Sequence, residues 1–428
     1  MKYSFIIATF LIFFSTFNLC YSNDKLQLLK EKNYTLDESE FIVKNIKRIS
    51  FSPNGQVMCL IKLGSNEAAI YNTKDYKFRN KVTIPLFTAD TVCIQINNIK
   101  QKYYQNNRFY SLEQFMRIRK DSSMPSNFNK FSFENVEFLN DSVICFLTKI
   151  PVLRFPKDIN IMTTFQLHFS SIITVLFYNL NDKSIKIQAI MNGGHFDDNY
   201  QVWIQTSQFA INKKMNKLYL ISRSSYSNQS DAKLDTCVVI SEVDFNGKYI
   251  QDVEYLPDFF MKTNMKYDFL YKPFIHISKE KLYVIYQLID SMYIINKNNK
   301  IIYPLKHKGF KYLSDSLKYY KQNNYNFFNI SERINKNINV IHTGIFGLNK
   351  DVIVVFSNKL DFSNDTTTKH SLMTFYSKNG TYITTKKIKI YANNGMLKYY
   401  YYSSYTDKFY FFRKTDDSWI IEECSYEI

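Results

Sequence analysis

Residues 274–286 read FIHISKEKLYVIY: two apolar runs on either side of a short polar break. Each run is too short for a helix and rich in β-branched and aromatic residues, so the stretch reads as a hairpin of two strands. The same unit recurs as ISFSPNGQVMCLI (49–61), VEFLNDSVICFL (136–147), FAINKKMNKLYLI (209–221), IFGLNKDVIVVF (345–356) and YYSSYTDKFYFF (401–412). The breaks use Asn, Asp, Ser, Gly and Lys, residues that tolerate tight reversals. The second runs begin near Val57, Val143, Leu218, Leu282, Val352 and Phe409, between 57 and 86 residues apart, so the period is ragged.

A third and a fourth run follow five of the six hairpins, at 67–82, 174–190, 237–253, 292–305 and 372–388. The sixth copy, SWIIEECSYEI, reaches the C-terminus without a fourth run. Four antiparallel strands repeated radially predict an all-β fold, a six-bladed β-propeller. Such a sheet needs a neighbour on each face, and only ring closure supplies one for every blade. The missing outer strand is expected from the N-terminus, with YTLDESEFIVK (34–44) as the segment that completes the last blade. A pair of β-sandwiches also gives many short strands, but not six matched hairpins with a final incomplete unit. A seventh, degenerate blade is the alternative count if CIQIN (93–97) and the residues after it are strands.

The pattern predicts one propeller domain over residues 34–428, with insertions at 85–132, 150–169 and 306–340. With strands lettered a to d from the axis outward, every a–b and c–d turn is short. Every long segment is a b–c or d–a connection, and these share one rim. Repeat proteins place such additions on the binding face. SLEQFMRIRK (111–120) and SDSLKYYKQNN (314–324) have helical spacing and a plausible N-cap, respectively, and predict short helices within two of the insertions.

Residues 1–22, beginning MKYSFIIATFLIFF, have a basic start, an apolar run and a polar exit, the layout of a secretory signal peptide cut after Ser22. This predicts a secreted, periplasmic or cell-envelope protein. The alternatives are a lipid anchor through Cys20, weakened by Leu19 where a small residue is needed, and an uncleaved anchor, since about 19 residues could just span a bilayer. The other five cysteines are odd in number and show no CxxC pattern, and Cys59, Cys145 and Cys237 lie in apolar runs. They read as buried small hydrophobes rather than a disulfide framework.

The formal charge of +17 would suit polyanions, but no block of five or six like charges occurs. Only nine residues are Arg. An extracytoplasmic location argues against nucleic acid, leaving anionic membrane or polysaccharide as a peripheral partner of the basic surface. A monomer is expected.

The loop NGGHFDDNYQVW (192–203) uses two of the ten glycines and gathers His195, Asp197, Asp198, Tyr200 and Trp203. Tyr and Trp stack on sugar rings, and His and carboxylates hydrogen-bond polar ligands. Arg154, Arg223 and Tyr226 fall in or beside b–c segments and join this group as binding candidates. The bland reading of the loop is a turn, with Gly-Gly for conformational freedom. DFSND (361–365) lacks the Gly and distant Glu of a calcium loop. There is no GxSxG, P-loop, GxGxxG or HExxH, so no catalytic residue, cofactor or metal is assigned.

With its ragged four-strand units, secretory leader and aromatic-rich short strands, the chain resembles TolB-like six-bladed propellers of the bacterial envelope. It looks most like the propeller proteins, often lipoproteins, of gut-type Bacteroidetes. The resemblance implies a periplasmic or surface-attached module binding a protein or glycan. The alternatives are a propeller glycosidase or lyase acting on an anionic glycan, and a structural envelope scaffold.

Overall fold

The computed structural model describes residues 27–99, 105–119, 131–160, 169–190, 200–226, 238–255, 257, 273–296, 299–305, 307, 309–312, 339–349, 351–362, 367–392 and 395–427. After β1 (Gln27–Thr35), the first blade contains β2 (Ile46–Phe51), β3 (Val57–Lys62), β4 (Glu67–Asn72) and β5 (Phe78–Thr83), paired in sequence order. An insertion then contributes α1 (Thr88–Asn97), β6 (Asn107–Tyr110) and α2 (Leu112–Arg119). The second blade continues with β7 (Ser132–Phe138), β8 (Val143–Pro156), β9 (Phe169–Asn179) and β10 (Ile185–Ala189).

The third blade is β11 (Tyr200–Asn212), β12 (Lys217–Tyr226), β13 (Val238–Asp244) and β14 (Tyr249–Tyr255). The fourth is β15 (Pro273–Ser278), β16 (Lys281–Tyr286), β17 (Ser291–Asn296) and β18 (Asn299–Pro304). The fifth is β19 (Val340–Gly347), β20 (Val352–Phe362), β21 (Thr367–Ser377) and β22 (Tyr382–Ile388). The sixth comprises β23 (Tyr391–Ala392), β24 (Gly395–Ser403), β25 (Lys408–Lys414) and β26 (Trp419–Glu427), with β1 added outside β26. The fold is a six-bladed β-propeller.

The continuous apolar runs of the middle strands follow from this geometry. Successive side chains of a strand point to opposite faces, and here each face meets a different blade. Cys59 and Ile61 of β3 pack with Phe146 of β8, while Met58 and Leu60 pack with Phe412 and Trp419 of the sixth blade. On β8, Ile144 and Phe146 face the first blade, and Cys145 and Leu147 face the third. Val354 and Phe356 of β20 meet the sixth blade, whereas Ile353 and Val355 meet the fourth. Cys59, Cys93, Cys145 and Cys424 are buried free thiols, in keeping with their reading as small hydrophobes, and Cys237 lies outside the described residues.

Closure differs in register from the expectation. The strand pairing with β26 spans Gln27–Thr35, matching Gln27 to Glu427 and Thr35 to Ile420. Only Tyr34 and Thr35 of the expected 34–44 segment take part. The rest turns into the crevice between the sixth and first blades, burying Leu36, Phe41 and Val43. The reason is compositional. The edge strand QLLKEKNYT is mostly exposed and polar, so hydrophobic patterning passes over it, whereas the apolar residues after it fill the seam. Two hydrogen bonds fix the crossing: Leu36 N to Trp419 O (2.9 Å) and Trp419 Nε1 to Val43 O (2.6 Å).

CIQIN is not a seventh blade; it forms the end of α1. Ala89, Val92, Cys93 and Ile96 are buried with helical spacing, while the intervening Ile94 is exposed. Gln95 bonds both Ala189 N (2.7 Å) and Ile187 O (2.9 Å), tying α1 to the edge strand β10. The helix expected at 111–120 is present as α2. Ser111 and Gln114 exchange side-chain and backbone hydrogen bonds at its start, a capping box. The segment 314–324 lies outside the described residues, as does the whole of 313–338.

Candidate functional site

Two regions are built from different parts of the repeat. The first is the rim carrying the b–c and d–a connections. Where β3 and β4 are six residues each, β8 runs for 14, β9 for 11, β11 for 13, β12 for 10, and β20 and β21 for 11 each. The extra length projects at the b–c ends of the second, third and fifth blades. Much of the 150–169 insertion is therefore strand, not loop. β6 pairs with the outer half of β8, from Tyr110–Leu153 to Asn107–Pro156, and continues the sheet beyond β7. Phe115 of α2 stacks on Phe155 with ring centroids 5.3 Å apart, anchoring the insertion to that extension.

Arg154 lies on this extension, opposite Phe109 of β6. In the third blade, Trp203 is opposite Arg223 and Tyr200 opposite Tyr226 in the β11–β12 ladder. Two adjacent blades thus bring Arg154, Tyr200, Trp203, Arg223 and Tyr226 to the same rim at the level of the backbone. His195, Asp197 and Asp198 lie outside the described residues. In the fifth-blade extension, Asp361 is paired with Lys359 (2.9 Å) and lies 3.1 Å from His370 Nε2, and the Lys359 hydrogen bond above all holds its carboxyl below the usual range. Among the described residues, no group of three His, Cys, Asp or Glu side chains could hold a metal ion.

The second region is the axial cavity, of about 340 Å³, lined by the innermost strands β2, β7, β11, β15, β19 and β24. It reaches the a–b turns, where Lys213, Ser404 and Tyr405 border it, and extends along the inner strands as far as Thr343 and Lys398. Sequence reading did not single out these positions. Inner strands carry ordinary alternating sequence, and only the ring shows which of their side chains converge.

Glu137 is the unusual group of this cavity. Ser50 Oγ donates to its Oε2 (3.0 Å) and itself accepts from Phe138 N (3.2 Å). Among the described residues, no other hydrogen bond reaches the carboxylate. Burial raises Glu137 to about 7, although the Ser50 bond and the charges of Lys213 and Arg48 pull the other way. Lys213 bonds the Tyr405 hydroxyl and lies over its ring, 4.7 Å from the centroid. Burial holds the Lys213 amine below its usual range, against the attraction of Glu137 and Asp141.

Farther round the wall, Gln208 sits at an irregularity in the β11–β12 register, and its Oε1 accepts from Ile275 N of the next blade (3.0 Å). That bond uses the amide oxygen and leaves the NH₂ group without a protein acceptor. Tyr400 donates to Thr343 Oγ1 (2.7 Å). Burial lowers the His276 imidazole to about 4, so it is neutral at physiological pH. It is a structural residue of an apolar strand, with Phe346 edge-on at 5.6 Å.

No protein-family model and no curated protein sequence matches the chain. Similar solved structures include a Bacteroides fragilis protein described as exported, at 13% identity over 94% of this chain and 96% of that one, with a TM-score of 0.46. Hydrazine synthase of Kuenenia stuttgartiensis matches at 9% identity over 88% and 76%, with a TM-score of 0.42. A calcium-binding protein, regucalcin, from Agrobacterium tumefaciens matches at 7% identity over 92% and 95%, with a TM-score of 0.40. At these identities the likeness concerns fold alone, and the blade count rests on the strand order of this chain.

Proposed function

We propose that the chain is an extracytoplasmic binding module that takes a protein or glycan partner on its insertion-rich rim. The observation that supports this reading is the one-sided growth of the ring. Three blades are lengthened, and α1, β6 and α2 are added, while the opposite turns stay short. Strand extensions give a rim loop a rigid base, which lowers the ordering cost of binding. Arg154, Tyr200, Trp203, Arg223 and Tyr226 would supply contacts from two adjacent blades, together with His195, Asp197 and Asp198 of the connecting loop.

The leader at residues 1–22 supports export. Among the described residues no helix is long and apolar enough to cross a membrane. The kinship to TolB-like envelope propellers remains part of this proposal. A glycosidase needs two carboxyl groups flanking the scissile bond, and Glu137 is the only carboxylate among the described residues lining the axial cavity. That favours binding over hydrolysis.

A glycan array and a pull-down from envelope extract test the proposal. The variant combining His195→Ala, Asp198→Ala and Trp203→Ala is expected to bind its partner at least about tenfold more weakly, the loss of one or two good contacts. Unchanged binding would remove this loop from the site.

A further inference from the structure

The axial cavity reaches the a–b turns, on the rim away from the insertions, and the rim proposal makes no use of it. We propose that it is a second binding site, for a small carboxylate-bearing molecule entering from the short-turn face, with Lys213, Arg48 and Gln208 around the ligand carboxylate and Glu137 taking up a proton.

Three observations converge. The volume, about 340 Å³, is at the lower end of the range of small-ligand pockets. The wall is mixed in the manner of such pockets: apolar Ile49, Phe274, Ile275 and Phe346 alternate with a few polar groups. Those polar groups are incompletely satisfied by the protein. Among the described residues, one oxygen of Glu137 and the NH₂ of Gln208 have no protein partner, so both are open to a ligand in the cavity.

Charge selects the ligand class. Arg48 from β2, Lys213 from the β11–β12 turn, and Tyr401 and Tyr405 from β24 and its turn act on Glu137 or feel its charge; Lys398 and Tyr399 of β24 line the same cavity, and His276 of β15 is neutral. Asp141, on the exposed β7–β8 turn, acts on Lys213 from outside the lining. Three cations and one carboxylate repel a cationic ligand. They suit a monoanion, provided the single carboxylate can be neutralised. Glu137 can be, because it titrates near neutrality. An anion beside it favours its protonated form, which then donates a hydrogen bond to the ligand. Affinity should therefore rise as pH falls through 7.

The test uses the mature chain, residues 23–428, titrated calorimetrically with acetate, benzoate, phenylacetate and indole-3-acetate and with the amide of each. At least one acid is expected to bind with a Kd below about 1 mM at pH 6, and its amide at least about tenfold more weakly. Between pH 6 and 8 the affinity of the acid should fall about tenfold, as a single site near 7 loses its proton. Glu137→Gln should remove that pH dependence, and Lys213→Ala should weaken the acid about tenfold. Equal binding of acid and amide overturns the proposal, as does the absence of any acid binding below about 10 mM. A pH slope that survives in Glu137→Gln assigns the proton to Lys213 and overturns the role of Glu137.

Discussion

Glu134 and Glu137 lie three residues apart on β7, at opposite ends of the same inner strand, and the ring treats them differently. Toward the insertion rim, Glu134 receives Lys47 of the neighbouring blade at 2.6 Å and Ser132 Oγ at 2.6 Å. Toward the short-turn face, Glu137 receives one hydroxyl, from Ser50 of the same neighbouring blade. The two rungs, Lys47–Glu134 and Ser50–Glu137, link the same pair of strands with the same spacing. The difference is the residue opposite: an ammonium in one rung, a hydroxyl in the other. A hydroxyl supplies a hydrogen bond but no compensating charge, so the buried carboxylate is left to shift its protonation instead. One end of the strand acts as a clasp between blades. The other is held where a ligand or a proton must complete it.

Packing sets the scale for both. Trp419 is 1% exposed at the seam where the N-terminal strand closes the ring, and its indole nitrogen bonds Val43 O. Trp419→Ala should remove about 3–5 kcal/mol, the usual cost of deleting a large buried aromatic side chain, read as a lower denaturant midpoint at constant slope. If both carboxylate rungs matter less than this, the ring is held by its interblade apolar clusters and the rungs only tune it. A Trp419→Ala loss below about 1 kcal/mol would mean that the seam is open in solution.

The clasp comes next. Lys47→Ala removes the ammonium from Glu134, which is half-buried. The expected loss is about 1–3 kcal/mol at pH 7, below that of a fully buried pair because water reaches both side chains. The midpoint should fall without any change in ligand affinity at the cavity. A variant as stable as the parent would place Glu134 in the same class as Glu137 and erase the distinction between the two ends.

The ring itself was legible in the sequence because the hydrophobic pattern responds to burial on two faces. Strands such as β3 and β20, buried against a neighbour on either side, carry unbroken apolar runs that mark their positions. The closing strand β1 was missed in register because it is an edge, largely exposed, and its lysines and glutamates look like linker. Helix α1 allowed an alternative reading as a strand because Ile94–Gln95–Ile96–Asn97 alternates over four residues, too short a span to separate a period of 2 from one of 3.6. The rim candidates Trp203, Arg223 and Arg154 came from a local cluster and from b–c neighbours in the sequence, which the strand ladders place only at the level of the backbone. The cavity was not, because Arg48, Glu137, Gln208, Lys213 and Tyr405 come from separate blades and meet only when the ring closes. Charge spacing within one strand cannot reveal that a residue's partner on the next blade is a serine.

The smallest effect is a gain, and its sign separates the two rungs most cleanly. Glu137 titrates near 7 when folded and near 4.3 when unfolded. Between these values the native state binds the extra proton, so stability is highest below about pH 4 and falls as pH rises through 7. Glu137→Gln is uncharged throughout and keeps an acceptor for Ser50. It should match the parent near pH 4 and exceed it at pH 8 by on the order of 1–2 kcal/mol, a range reduced for water in the cavity. His276 and His342 work in the opposite direction. Burial lowers both to about 4, so the parent loses stability as pH falls from 6.5 toward 4. The parent's profile alone would therefore mix the two effects. Subtracting it from that of Glu137→Gln cancels the histidines, which both proteins share, and leaves the carboxylate. A difference that is flat from pH 4 to 8 would mean that Glu137 is as well compensated as Glu134, and that the cavity holds no group waiting for a ligand.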